Sequence, residues 1–267
     1  MLKCSITCVY KYLNSTASVY FSRERRGSET QRSAVSVIIP AYNEEKTIGN
    51  IIAGAISIMD ALLLPYEIIV INDGSTDHTG LIASKHKATV LSNEKNRGKG
   101  YSIRKALQHA RGDIVVTIDS DGEHNPKEIP GLLNSLLEGA DIVTGSRFMT
   151  NNTRATTKLN KVGNFILNTA IFILTGKAVT DSQTGFRAIK RNVLEELNLE
   201  SNGYEIETEI TVKGLRNGFF FKEQPITCER RVYSISKLQL VKDSTRILKT
   251  ILKARLAKIS YNLDSTG

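Results

Sequence analysis

Only three cysteines occur in the 267 residues, Cys4, Cys8 and Cys228. Three thiols cannot make a paired framework, and Cys4 and Cys8 lack the His or Cys partners of a zinc site. A disulfide scaffold is excluded, and a reducing compartment, the cytoplasm, is the expectation. No stretch reaches the ~20 apolar residues of a spanning helix. The nearest approach, Val162–Leu174, is interrupted by Asn164, Asn168 and Thr169. In residues 1–34, Lys11, Asn14, Arg23, Arg25 and Arg26 break up every apolar run, so no signal-peptide core forms. That segment reads as a flexible extension. No repeat at a fixed period is present. What is there is ordinary: 40% hydrophobic and 24% charged residues, the composition of a chain that buries a real core.

The net charge of +9 is unevenly placed. Residues 1–34 hold six Lys/Arg against two Glu, residues 35–236 hold 23 basic against 23 acidic side chains, and residues 237–258 hold seven basic residues against Asp243. The middle is neutral and the ends are basic. A nucleic-acid reader spreads its basic footprint over its folded domain, so no nucleic-acid partner is expected. Basic ends suit an anionic membrane surface.

From Val35 to Gly145 short Val/Ile-rich runs alternate with helical lengths. Val35–Pro40, Glu67–Asn72, Ala88–Leu91, Asp113–Asp119 and Asp141–Gly145 read as strands. Glu44–Leu63, Thr79–His86, Lys99–Ala110 and Pro126–Glu138 read as helices. This alternation predicts an α/β fold with a mostly parallel sheet covered on both faces. Ligands of such sheets bind at the carboxyl ends of the strands, where the polar clusters Tyr42-Asn43-Glu44, Asp73-Gly74-Ser75 and Asp119-Ser120-Asp121 fall. After Gly145 the pattern predicts a long helix (Lys158–Leu174), a loop (180–187), a helix near Gly203–Asn217, two short strands (Phe219–Glu223 and Ile226–Val232) and a last helix from about Lys237. This half is expected to add little sheet.

Asp119 and Asp121 are alternate residues at a strand end, so both carboxylates can share one face. Paired hard oxygens suit Mg²⁺ or Mn²⁺, with substrate phosphate completing the shell; a solvated acidic turn is the plainer reading. Glu123 and His124 stand close enough to add or orient a ligand, although a His in a polar loop is usually exposed. Asp73 is a candidate to accept a hydrogen bond from a base, while Ser75 or Thr76 caps the following helix. Asn96-Arg97-Gly98-Lys99-Gly100 opens a helix and offers amides and cations to a diphosphate. It matches neither a Walker loop nor a dinucleotide fingerprint.

In order, Val37-Ile38-Ile39-Pro40-Ala41-Tyr42-Asn43-Glu44, Asn72-Asp73-Gly74-Ser75-Thr76-Asp77, Asn96-Arg97-Gly98-Lys99-Gly100 and Asp119-Ser120-Asp121 resemble the inverting family 2 glycosyltransferases of GT-A fold, over roughly residues 35–240. Gly145-Ser146-Arg147, the run from Asp181 to Arg187, and Arg231 through Ser236-Lys237-Leu238 resemble the polyprenyl-phosphate (dolichyl-phosphate) sugar transferases among them. The resemblance implies a GT-A domain over 35–236, a basic amphipathic helix and tail over 237–267, and a GDP- or UDP-hexose donor. It implies that Pro40, Tyr42, Glu44 and Asp73, with Lys99 and Ser120, hold the donor, that Asp119, Asp121 and Glu123 hold the metal, and that Arg147, Arg231 and Lys237 contact phosphates. Glu123 stands where those enzymes typically carry Gln.

A lipid phosphate acceptor is already ionised and needs no base, only position and cations. A sugar-hydroxyl acceptor on a growing glycan needs a carboxylate base. Glu205 and Glu207 are the candidates; at i, i+2 on a helix they diverge, and a solvated acidic face is the plainer reading. In the last helix Leu240, Val241, Ile247, Leu248, Ile251, Leu252, Leu256 and Ile259 recur at three- and four-residue spacing among lysines and arginines. Such a helix suits peripheral attachment to a membrane surface.

Overall fold

The computed structural model describes residues 35–149, 158–229, 247 and 250. Seven strands form one sheet in the order β3-β2-β1-β4-β6-β5-β7: β1 (Val35–Ala41), β2 (Tyr66–Asn72), β3 (Thr89–Ser92), β4 (Ile114–Thr117), β5 (Ile142–Ser146), β6 (Arg187–Lys190) and β7 (Phe221–Pro225). β1 pairs in parallel with β2 and β4, β2 with β3, and β5 with β7. β6 lies between β4 and β5, antiparallel to both.

The period of two along β1 sorts the core. Val35, Val37 and Ile39 join Ile48, Ile52 and Met59 of α1 (Ile48–Leu62) and Leu132 and Leu136 of α4 (Ile129–Leu137) on one face. Ile38 joins Ile103 and Ala106 of α3 (Lys99–Leu107) and Ile206 and Ile210 of α7 (Ile206–Arg216) on the other. Each of these valine, leucine, isoleucine and methionine side chains contributes roughly 1.5–3 kcal/mol on leaving water. A parallel sheet must be covered in this way, because its crossovers place helices on both faces. The short helices α2 (Thr79–Ser84) and α6 (Arg191–Glu196) complete the turns after β2 and β6. The long helix α5 (Lys158–Thr175) packs through Ile171 on Val179 and on Val212 of α7, a small cluster that also takes in Ile247.

The predicted βα alternation holds, with helix starts displaced where side chains make the opening turn. Glu44 to Thr47 precede α1 as a turn whose carbonyl, from Glu44, accepts the amides of Thr47 and Ile48. The second half departs further from expectation. The loop expected over 180–187 gives way at Arg187 to a strand, Arg187–Lys190, that completes the sheet between β4 and β5. Ile226–Val232 does not form a strand where it is described; Cys228 makes a single bridge to His124. The rest of that segment lies outside the described residues, with Arg231 and Lys237. So does the last helix apart from Ile247 and Thr250, which are helical.

Candidate active site

The carboxyl ends of β1, β2 and β4 converge, and side chains lock them together. The amide of Asp73 donates to the carbonyl of Ala41 at 2.8 Å, and Ser120 Oγ donates to the carbonyl of Pro40 at 2.9 Å. Tyr42-Asn43-Glu44 is docked onto the turn after β2. Asn43, at φ 52°, accepts from the amide of Thr76 at 2.8 Å, and the amide of Glu44 donates to Thr79 Oγ1 at 2.7 Å. Pro40, Glu44, Asp73, Ser120 and Asp121 are buried, and Tyr42, Asp119 and Glu123 half-buried, around one crevice.

Asp73 is committed to shaping that crevice. Its Oδ1 accepts from Asn93 Nδ2 (2.7 Å) and the amide of Arg97 (2.9 Å), and its Oδ2 from the amide of Gly98 (2.8 Å). Its carboxylate therefore folds the 93–98 loop before α3. The start of α3 is sealed as well, because Gly100 and Tyr101 donate to the carbonyls of Gly203 and Asn202. The amides of Arg97, Gly98, Gly100 and Tyr101, expected to face a diphosphate, are thus spent within the protein. Gly98, at φ 99°, has no room for a side chain against the carbonyl of Asn202.

Lys99, which leads α3, is the hub of the crevice floor. Its ammonium pairs with Asp119 Oδ1 and, at 2.6 Å, with Glu207 Oε1. Burial by itself lowers its pKa, but the two carboxylates overcome this and hold it above the ordinary lysine value. On its other side Asp119 Oδ2 lies 3.6 Å from His124 Nδ1, beyond hydrogen-bond reach. A Cβ on Gly185 would sit 2.6–2.7 Å from both oxygens of the Asp119 carboxylate. His124 is not the exposed loop residue that its polar neighbours suggested. It is 2% exposed, its ring lies 5.4 Å from that of Phe186, and burial lowers its pKa. Asp121 Oδ1 accepts from the amide of Glu123 at 3.0 Å, turning the acidic loop back on itself.

Arg147, after β5, is fixed in a bidentate pair with Asp181: Nε to Oδ2 at 2.7 Å and Nη2 to Oδ1 at 2.9 Å. Burial opposes its charge, but Asp181 holds its pKa above the ordinary arginine range. Asp181 is itself fully buried and held at its amide by Glu223 of β7. Arg187 is sunk beneath them and donates to the carbonyls of Ser182 and Thr184 and to Thr211 Oγ1; burial lowers its pKa to about 10. Thus Lys99 meets Asp119 and Glu207, and Arg147 meets Asp181, before any ligand arrives.

The acidic start of α7 is not a solvated face. Glu205, Glu207 and Glu209 are 8%, 2% and 3% exposed. Glu205 Oε1 accepts from the amide of Gly203, Glu207 pairs with Lys99, and Glu209 pairs with Lys213. Asp181, Gly185 and Arg187 were legible only as parts of a motif, and Glu207 only as a candidate base, because their partners are brought to them by β6 and α7. Among the described residues no three His, Cys, Asp or Glu side chains are grouped to cage a metal ion.

A mostly parallel α/β sheet with an acidic Asp-x-Asp loop at its carboxyl edge is the layout of a GT-A-like fold. Residues 36–198 match the family model described as "Glycosyl transferase family 2", and the chain belongs to that family. It is 34% identical over 195 residues to Glycosyltransferase AglJ of Haloferax volcanii, covering 73% of this chain and 62% of that one, so that it spans under two thirds of that relative. It is 31% identical over 222 residues to the polyprenol monophosphomannose synthase of Mycolicibacterium smegmatis, covering 78% of this chain and 82% of the other. The crystal structure of glucosyl-3-phosphoglycerate synthase from Mycobacterium tuberculosis, in complex with Mn²⁺, uridine-diphosphate and phosphoglyceric acid, superposes with a TM-score of 0.67 at 25% identity, covering 89% of this chain and 86% of that one.

Proposed function

We propose that this glycosyltransferase moves a hexose, with inversion, from a GDP- or UDP-hexose to a polyprenyl phosphate at the cytoplasmic face of a membrane, with Mg²⁺ or Mn²⁺ bound. The observation that carries the choice of acceptor is the state of Glu205 and Glu207. A hydroxyl acceptor needs a carboxylate base within reach, but Glu205 is tied to its own turn and Glu207 is buried against Lys99. A phosphate oxygen is anionic at neutral pH and attacks the anomeric carbon unaided as the bond to the leaving diphosphate breaks. The likeness to a polyprenol monophosphomannose synthase supports the same acceptor.

The residues present fit the metal. Mg²⁺ and Mn²⁺ sites of this kind use one or two carboxylates and take waters and substrate phosphate for the remainder, without an all-protein cage. Asp121 and Glu123 would hold the ion, with Asp119 oriented beside them. Held by those residues, such an ion would supply positive charge for the leaving diphosphate. Because Lys99 and Arg147 already carry carboxylate partners, the floor has no surplus positive charge for that task. Pro40, Tyr42, Glu44 and Asp73 shape the pocket of the nucleoside. Arg231 and Lys237 contact donor or acceptor phosphate.

The test is incubation of the full chain with radiolabelled UDP- and GDP-hexoses, Mn²⁺ or Mg²⁺, and polyprenyl phosphate together with a glycan and phosphoglyceric acid as competing acceptors. Metal-dependent label in the organic phase is the expected result. Label that appears only in a water-soluble glycan or phosphoglycerate product would establish a hydroxyl acceptor and overturn the assignment.

A further inference from the structure

Glu207 has no part in the mechanism above, yet it is a buried carboxylate. It stands in the first turn of α7, its side chain is 3% exposed, and its Oε2 has no hydrogen-bond partner. A carboxylate in that position carries a desolvation penalty that only an opposite charge offsets. Lys99 meets it at 2.6 Å, on the same nitrogen that holds Asp119. Without Glu207, that ammonium would be free to lean further onto Asp119 or out toward the crevice. With Glu207, it is drawn from both sides and its position is set. Gly185 closes the remaining side of the Asp119 carboxylate, and His124 Nδ1 approaches its Oδ2.

We infer that Glu207 is a positioning residue for the donor site: by holding Lys99 between two carboxylates, it sets the orientation of Asp119 beside Asp121. This rests on the reading of the Asp119-Ser120-Asp121 loop as the site of the donor diphosphate and its metal. It also gives α7 a task there without making it the source of a base. Glu207 acts only through Lys99, so removing Lys99 should remove the effect of Glu207. That non-additivity separates a relay from two independent contributions.

The experiment is a double-mutant cycle on the full chain with Glu207→Gln, Lys99→Met and the pair. Mn²⁺-dependent binding of UDP and of GDP is measured by titration calorimetry and folding by thermal melts. Glu207→Gln is expected to weaken diphosphate binding about 10-fold in the parent and less than about 2-fold when Lys99 is already Met, with the melting temperature little changed. A merely structural Glu207 would lower the melting temperature and leave the affinity intact, which overturns the inference, as do equal effects in both backgrounds. A crystal structure of Glu207→Gln needs no ligand. Asp119 displaced from its place against Lys99 and Gly185 supports the relay, and Asp119 unmoved overturns it. If the parent binds neither diphosphate, the donor-site reading fails, and the crystal structure still decides what Glu207 does.

Discussion

Each acidic residue at the crevice has a different occupation, and the occupation decides what its loss does. Asp73 carries three hydrogen bonds within its loop and Asp119 lies against Lys99, while Asp121 and Glu123 are the carboxylates proposed to hold the ion. Asp121→Ala is expected to lower metal-dependent turnover by roughly 10²–10³-fold, the usual cost of one electrostatic contact to a leaving group. Its thermal melt should stay close to that of the parent. Full turnover of the parent in excess chelator would sink the metal role altogether. Gly185 is the reverse case, a residue without chemistry whose smallness matters. A methyl there would overlap both oxygens of Asp119 and displace Lys99. Gly185→Ala should weaken Mn²⁺-dependent nucleoside diphosphate binding about 10-fold or more, equivalent to ~1.4 kcal/mol. Calorimetry on the folded variant measures this directly, and unchanged affinity would show that the Asp119 carboxylate has somewhere else to go.

At the scale of elements, α7 and the turn before it close the site from behind. The carbonyls of Asn202 and Gly203 cap α3, and Glu209 holds the approach to that turn by accepting from the amides of Glu200 and Ser201 while pairing with Lys213 at 2.7 Å. Burial raises the pKa of Glu209, but these donors prevail and lower it below the ordinary value of 4.5. A depressed carboxyl pKa contributes stability that is present above its unfolded value and is lost as pH falls through the folded one. Glu209→Gln should therefore destabilise the domain by about 1.5–3 kcal/mol at neutral pH, as for hydrogen bonds to a charged group. Parent and variant should converge as pH falls below about 4.5. Denaturant titrations at neutral and acidic pH compare the two; a constant gap would mean that the charge of Glu209 contributes nothing.

At the scale of the whole molecule, the neutral span 35–236 has no electrostatic reason to seek a membrane, whereas 237–258 holds seven basic residues against one acid. No helix among the described residues is long and apolar enough to cross a bilayer. Binding to anionic vesicles is therefore expected to come from attachments, with ~1 kcal/mol from each basic residue near the surface. Salt should release the protein only in part, since screening over ~8 Å weakens the charges but not inserted apolar side chains. Deleting residues 242–267 should reduce flotation with such vesicles. Equal flotation of parent and truncation would transfer the anchor to residues 1–34 or to α5. Helix α5 leaves Val162, Phe165, Ile166 and Ile173 at 57–79% exposure. Failure of both to float would remove the main physical support for a lipid acceptor.

The sequence by itself determined the βα alternation, the covering of the sheet on both faces and the place of the polar clusters, because these depend on local pattern. Val35, Val37 and Ile39 face one layer and Ile38 the other whatever the rest of the chain does. Motif order likewise made the family legible before any coordinates. Tertiary structure alone decided which charges are spent. Lys99 and Glu207 are far apart along the chain, as are Arg147 and Asp181, and no periodicity relates them. Nor does local pattern reveal that Arg187–Lys190 enters the sheet antiparallel between β4 and β5, carrying Gly185 up to Asp119. The same contacts bury His124 and the acidic turn of α7, two places where polar composition pointed to solvent. Burial of a charge is set by what packs over it, and here the covering side chains come from elements that meet only in the folded domain.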